Sequence, residues 1–179
     1  MKPLSVIEFA KIVGGQTINC EGLELTGFAW DSRMVDPGDL FLAIKGENVD
    51  GHQYVGKALA AGATASLVER EIEGPQVLVP NLVEALAEYG RHYRDTFKGP
   101  VIGITGSVGK TLTKEFAAAA LFCLGPVLKN PGNHNSEYTS PLIWAELTSE
   151  QKSVVTEMAM RGFGQIAHLA SIAKPTIGL

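Results

Sequence analysis

With 179 residues, 45% of them hydrophobic and 19% charged, the chain has room for one or two domains with a buried core and the composition of a soluble globular protein. A net charge of −4 and the lack of any dense Lys or Arg run argue against a nucleic-acid surface. The longest apolar run, 116–128, is too short for a membrane span and is broken by Gly125-Pro126, and residues 1–15 lack a signal-peptide layout, so no membrane insertion and a cytoplasmic location are expected. Cys20 and Cys123 have no His or Cys at ligand spacing, which predicts two free thiols without zinc or disulfide.

In chain order, Pro3 to Val13 carries helical apolar spacing and stops at Gly14-Gly15, a helix with a glycine C-cap. Strands are predicted around Gly27 to Trp30 and over Asp39 to Ile44, the second announced by Pro37-Gly38. Asp50-Gly51-His52 opens a helix over Gln53 to Ala61, closed by Gly62, and strands follow at Ala65 to Val68 and Pro75 to Val79. Asn81 reads as the N-cap of an amphipathic helix over Leu82 to Phe97, with Leu82, Leu86, Tyr89 and Tyr93 on one face. The second half alternates strand and helix: Val101 to Thr105, Lys110 to Leu124, Val127-Leu128, a helix near Thr139 to Leu147, Ser153 to Met158, Gly164 to Ala173, and Thr176 to Leu179. Such alternation predicts α/β architecture: a small amino-terminal domain over 1–81, a linker helix over 82–99, and over 100–179 a parallel sheet with ligands at its strands' carboxyl ends. Three or four strands make an incomplete nucleotide-binding domain, so a partial protein is expected.

Chemistry enters at Val101 to Thr111. An apolar strand runs into Thr105-Gly106-Ser107-Val108-Gly109-Lys110-Thr111 and then into a helix. Two glycines let backbone N–H groups aim at phosphate oxygens, Lys110 supplies a mobile cation, and the Thr111 hydroxyl stands where a Mg²⁺ ligand is needed. The general phosphate-loop pattern would put a glycine at Ile104, so this loop is a shorter variant. Lys114 and Glu115, further along the loop helix, read as a solvated face with no catalytic role.

Three further positions carry open alternatives. Glu157 lies near the carboxyl end of an apolar strand, where it is either a Mg²⁺ ligand of a nucleotide site or a surface glutamate. The polar loop Pro131 to Glu137, with Asn133 and Asn135, either contacts a substrate or caps the following helix. Asp31-Ser32-Arg33 suits a diphosphate or a uracil edge because Arg offers a planar fork of donors, or it is an exposed turn.

Taken together, these strings resemble the Mur ligase family, whose phosphate loop is the short Thr-Gly-Ser/Thr-x-Gly-Lys-Thr seen at 105–111. The likeness extends to Asp31 to Arg33, Pro37 to Phe41, Lys45-Gly46, Asp50 to His52, Thr113 to Glu115, Lys129 to Asn135 and Glu157 to Ile166. The branch most resembled adds D-alanyl-D-alanine to UDP-N-acetylmuramoyl-tripeptide. The resemblance implies an amino-terminal UDP-binding domain and a central ATP-binding domain. Thr105, Gly106, Ser107, Val108, Gly109, Lys110 and Thr111 would hold ATP, with Lys110 catalytic. Thr111 and Glu157 would bind Mg²⁺, Ser32 and Arg33 would lie against UDP, and Asn133 and Asn135 would face the muramoyl peptide. It also implies a monomeric enzyme that forms an acyl phosphate during cell-wall synthesis. Where the family reads Asn-Asn-Glu-Ile-Gly-x-Pro, this chain has Asn135 to Pro141 with Ser136, Tyr138 and Thr139, and full members continue well past residue 179. The chain alone is therefore expected to be inactive as a ligase. The competing readings are a non-catalytic UDP-substrate-binding module, a sibling ligase that adds an earlier amino acid, and a folate-type polyglutamate ligase.

Overall fold

The first helix, α1 (Val6–Val13), buries Val6, Phe9, Ala10 and Val13, the spacing of one helical face. It starts later than its apolar pattern suggests because Ser5 caps it, the hydroxyl accepting the Ile7 N–H at 3.2 Å. Leu4 and Ser5 instead form a short strand, β1 (Leu4–Ser5), antiparallel to β3 (Glu24–Leu25). The helix ends where the Gly14 N–H returns to the Ala10 carbonyl.

The computed structural model describes residues 2–46 and 49–179. The chain divides into two compact units, Met1–Ala85 and Leu86–Leu179. In the first, β2 (Gln16–Ile18), β4 (Gly27–Ala29), β5 (Asp39–Leu42), β6 (Ala65–Val68) and β7 (Gln76–Leu78) form a sheet in the order β2-β7-β6-β5-β4. Only β2 runs antiparallel. Every residue of β5 and β6 is buried, as central parallel strands covered on both faces require. Between them a 3₁₀ turn over Gly51–Tyr54 leads into α2 (Val55–Ala61). β1, β2 and β3 escape the sequence reading because two or three residues are too few for alternation to show.

One part-buried polar network, centred on the buried His52, fixes the chain between β5 and α2. Asp50 Oδ1 accepts the His52 N–H at 3.0 Å and lies 2.7 Å from His52 Nδ1, while Arg70 Nη2 lies 2.9 Å from Asp50 Oδ2. On its far side His52 Nε2 accepts the Glu69 N–H at 3.0 Å, so the ring's proton belongs on Nδ1. Glu69 Oε1 in turn accepts the Leu82 N–H at 2.7 Å. The His52 N–H, then the ring, then Arg70 hold the Asp50 carboxyl down to about 2. Against an unfolded value of about 3.9, this depressed group adds stability that is complete above about pH 4 and lost as pH falls toward 2. Thermal melts from pH 5 to pH 2 are therefore expected to show a smaller acid-dependent drop for Asp50→Asn than for the wild type; equal drops would contradict the network's role.

The second unit is built on α3 (Leu82–Arg94), which begins in the first; Asn81 Oδ1 accepts the Glu84 N–H at 2.9 Å and caps it. β8 (Val101–Ile104), β9 (Val127–Lys129), β10 (Ser153–Glu157) and β11 (Ile177–Gly178) form a fully parallel sheet in the order β11-β8-β10-β9. α4 (Lys110–Leu121) follows β8 and α5 (Gln165–Ala173) follows β10. The helix expected near Thr139 to Leu147 is a 3₁₀ segment, Ser140–Glu146, with Pro141 at its start, where a missing N–H costs nothing. Its Ile143 and Trp144 enter a core with Val101, Leu128, Val154, Leu169 and Ile172. Arg94 is buried beside this core: Nε donates to the Ala173 carbonyl at 2.6 Å, Nη1 to Phe97 and Nη2 to Lys174, both at 2.9 Å. Its guanidinium carbon lies 5.4 Å from the Trp144 ring centroid. Both cysteines are free thiols, and no helix among the described residues is long and apolar enough to cross a membrane.

Candidate functional site

At the carboxyl end of β8 the chain enters the loop Thr105 to Gly109, in which Gly106 has φ 143° and Gly109 φ 81°. Both angles are in the region that L side chains rarely adopt, which is the physical reason for glycine at these two positions. Gly109 is the N-cap of α4 and no side chain caps that end. Its first-turn N–H groups and the positive end of the helix dipole suit phosphate oxygens. Lys110 Nζ donates to the Gly106 carbonyl at 2.8 Å, so the cation is held across the loop.

Sheet register brings Glu157 to this loop. β10 pairs with β8 so that Glu157 stands beside Ile104, the residue before the loop begins. The Thr111 hydroxyl donates to Glu157 Oε2 at 2.9 Å, joining residues 46 positions apart. Asn135 Nδ2 donates to Glu157 Oε1 at 2.7 Å. Asn130, at the end of β9, accepts the Glu157 N–H at 2.7 Å and donates Nδ2 to the His134 and Glu157 carbonyls, at 2.7 and 3.2 Å. Glu157 is 1% exposed, which rules out the reading of a surface glutamate.

The donors present suit a hard divalent cation. A buried carboxylate and a hydroxyl, both oxygen ligands, meet at the edge of a phosphate-type loop. Among the described residues no group of three or more His, Cys, Asp or Glu gathers. A cation here would take its other ligands from phosphate oxygens and water, as Mg²⁺ carried by a nucleotide does.

One expectation needs correction. Lys114 does not sit on a solvated face: it is fully buried, donating to the Asn130 and Gly132 carbonyls, each at 2.9 Å, with Glu157 Oε2 at 3.8 Å. Three residues beyond Thr111, it shares that residue's helix face, and the loop after β9 folds over it. Glu115 is exposed, as expected, and pairs with Lys129, which lowers its carboxyl's affinity for protons. Of the two loop asparagines, Asn135 is turned to Glu157, whereas Asn133 is exposed and outside the cluster. Burial pushes the His134 imidazole below its ordinary value.

The first unit carries a cavity of about 590 Å³. Ser32 and Arg33 line it, together with Trp30, Phe41, Tyr54 and Lys57, residues of ordinary type that no local sequence signal marks as ligand contacts. Ser32 is buried; Arg33 is exposed and forks onto Asp31, Nη2 to Oδ2 at 2.5 Å and Nε to Oδ1 at 2.9 Å, holding the Asp31 carboxyl well below the usual carboxylate range. Gly51 forms part of the wall, and a Cβ there would lie 2.6 Å from the Ile44 N and O atoms. Aromatic faces beside two cations offer a stacking surface for a base and donors for a diphosphate.

Two family models match the chain: the Mur ligase family catalytic domain over residues 24–94 and the Mur ligase middle domain over 104–179. The chain belongs to the Mur ligase family. A Synechocystis protein named UDP-N-acetylmuramoyl-tripeptide–D-alanyl-D-alanine ligase is 45% identical over 164 residues, covering 89% of this chain and 36% of that protein. The Escherichia coli K12 protein of the same name is 33% identical, covering all of this chain and 40% of its own length. Among solved structures, MurF from Acinetobacter baumannii superposes with a TM-score of 0.90 at 31% identity, over 99% of this chain and 40% of that one. MurF ligase from Thermotoga maritima, solved in complex with ADP, matches with a TM-score of 0.71 at 42% identity, over 83% of this chain and 35% of that one. This Mur ligase chain thus spans about two fifths of the length of such relatives, and its mixed α/β architecture with parallel sheets is theirs.

Proposed function

We propose that the chain supplies the UDP-substrate and ATP-phosphate sites of a ligase that adds D-alanyl-D-alanine to UDP-N-acetylmuramoyl-tripeptide. One observation carries the reading: the loop threonine, Thr111, and the strand-end carboxylate, Glu157, meet at 2.9 Å beside a glycine loop held open by two positive φ angles. The names of the relatives and the ADP bound to one of them support the choice of substrates.

In this reading the N–H groups from Gly106 to Thr111 bind ATP phosphates and Lys110 moves from the Gly106 carbonyl to the phosphoryl oxygens. Thr111 and Glu157 hold Mg²⁺, which offsets charge on the phosphates. Ser32 and Arg33 meet the UDP part in the first unit's cavity. Asn135 keeps Glu157 oriented, and Asn133, exposed on the same loop, contacts the muramoyl peptide. The tripeptide carboxylate attacks the γ-phosphate, the bond to the β-phosphate's bridging oxygen breaks, and ADP leaves an acyl phosphate. The D-alanyl-D-alanine amine then adds to that carbonyl, phosphate departs and the amine proton is lost to solvent, leaving a peptide bond. Substrates of this kind go with a cytoplasmic reaction.

A chimera tests the proposal: residues 1–179 replace the matching segment of the Synechocystis ligase. ADP and phosphate are expected to form only when UDP-N-acetylmuramoyl-tripeptide and D-alanyl-D-alanine are both supplied. A folded chimera that turns over with a different amino acid or dipeptide in place of D-alanyl-D-alanine would refute the substrate assignment.

A further inference from the structure

A fully buried lysine demands an explanation, because burying an ammonium costs several kcal/mol unless its protons find partners, and a methionine would fill similar space without that cost. Lys114 spends its donors on one loop. The Asn130 and Gly132 carbonyls each accept from Nζ at 2.9 Å, and the Glu157 and Glu115 carboxylates lie at 3.8 and 3.6 Å. The same loop then reaches Glu157 from the other side: Asn130 brackets its backbone, the Asn135 carbonyl accepts the Ala159 N–H at 3.0 Å, and the Asn135 amide holds Oε1. Thr111, one turn before Lys114 on α4, holds Oε2. Glu157 is therefore gripped from two directions, and Lys114 ties the two grips together.

We propose that Lys114 is a positioning residue of the phosphate site: its ammonium fastens the Asn130–Asn135 loop to α4 and so keeps the Glu157 carboxylate aimed at a divalent cation brought by the nucleotide. This rests on the reading of Glu157 as a cation ligand. Two effects of removing Lys114 oppose each other, and their signs differ. Loss of a nearby positive charge would strengthen cation binding, whereas release of the loop would weaken it. Positioning predicts that release wins, because a carboxylate that loses its orientation forfeits a short-range bond to the metal while the charge effect is spread over several ångströms.

The test uses the 179-residue chain and titrates it with ADP, once with Mg²⁺ and once with EDTA, following the Gly106 and Gly109 amide signals by NMR. The wild type is expected to bind MgADP more tightly than metal-free ADP, and Glu157→Gln to lose that preference. Lys114→Met is expected to weaken MgADP binding by about tenfold or more with metal-free ADP little changed, and to broaden the Asn135 side-chain signal. Lys114→Arg, which keeps the charge but brings a larger planar head into a fully buried site shaped around a compact ammonium, is expected to be intermediate and serves alone if the methionine variant does not fold. Unchanged or tighter MgADP binding in a folded Lys114 variant, with Glu157→Gln still impaired, would overturn the proposal alone. If wild type and Glu157→Gln bind MgADP equally, the cation reading of Glu157 fails and the proposal with it.

Discussion

Replacing Lys110 with alanine is expected to raise the dissociation constant of MgADP about 10- to 100-fold, the worth of one or two charge-assisted hydrogen bonds to phosphate. Binding of UDP to the first unit's cavity should be unchanged, since the lining from Trp30 to Lys57 includes no residue of the phosphate loop. In the chimeric ligase the same substitution is expected to lower the rate of ADP formation by about 10²–10³, because Lys110 would act on charge that grows in the transition state. Calorimetry on both ligands separates these effects. Equal loss of UDP and MgADP binding would contradict the assignment of Lys110 to the phosphates.

The second large effect concerns stability. Arg94→Ala removes three hydrogen bonds from one guanidinium and leaves the carbonyls of Phe97, Ala173 and Lys174 without that donor. Hydrogen bonds to charged groups contribute about 1.5–3 kcal/mol each but are not additive, so a loss of about 3–4 kcal/mol is expected. Some of it comes from the Trp144 face, which loses its cation. Since single domains are stable by only about 5–15 kcal/mol, the urea midpoint should drop sharply. The fluorescence of Trp144, read in a Trp30→Phe background, reports on the second unit alone. Arg94→Lys should recover part of the loss, because an ammonium can reach one or two of the carbonyls but not all three. A loss below about 1 kcal/mol for Arg94→Ala would mean that these bonds are replaced by water.

Much of this architecture can be read from local signals. Gly106 and Gly109 stand where φ must be positive, Asn81 caps its helix by a hydrogen bond within one turn, and the apolar runs of β5, β6, β8 and β10 are those of strands covered on both faces. Each depends on neighbours close in sequence. What stays hidden depends on distant partners. The burial of Lys114 needs the loop after β9 to close over α4, and nothing within a helical turn of Lys114 announces that. The 46-residue gap between Thr111 and Glu157 is closed only by the parallel register of β8 and β10. Asn135 and Asn133 differ by one turn of loop geometry that composition does not encode. Likewise the cavity's aromatic and basic lining is drawn from residues of ordinary type, scattered from Trp30 to Lys57, that only the folded sheet collects.

In the proposed function the chain holds two separate ligand sites, a cavity for UDP in the first unit and a metal–phosphate site in the second. Chemical-shift mapping of the 179-residue chain tests it most directly, with UDP and MgADP added in turn. UDP is expected to shift amide signals of Trp30 to Arg33 and of Gly51 to Lys57, and MgADP those of Thr105 to Thr111, Asn130 to Asn135 and Glu157. Perturbation of the same residues by both ligands, or of neither set, would contradict it.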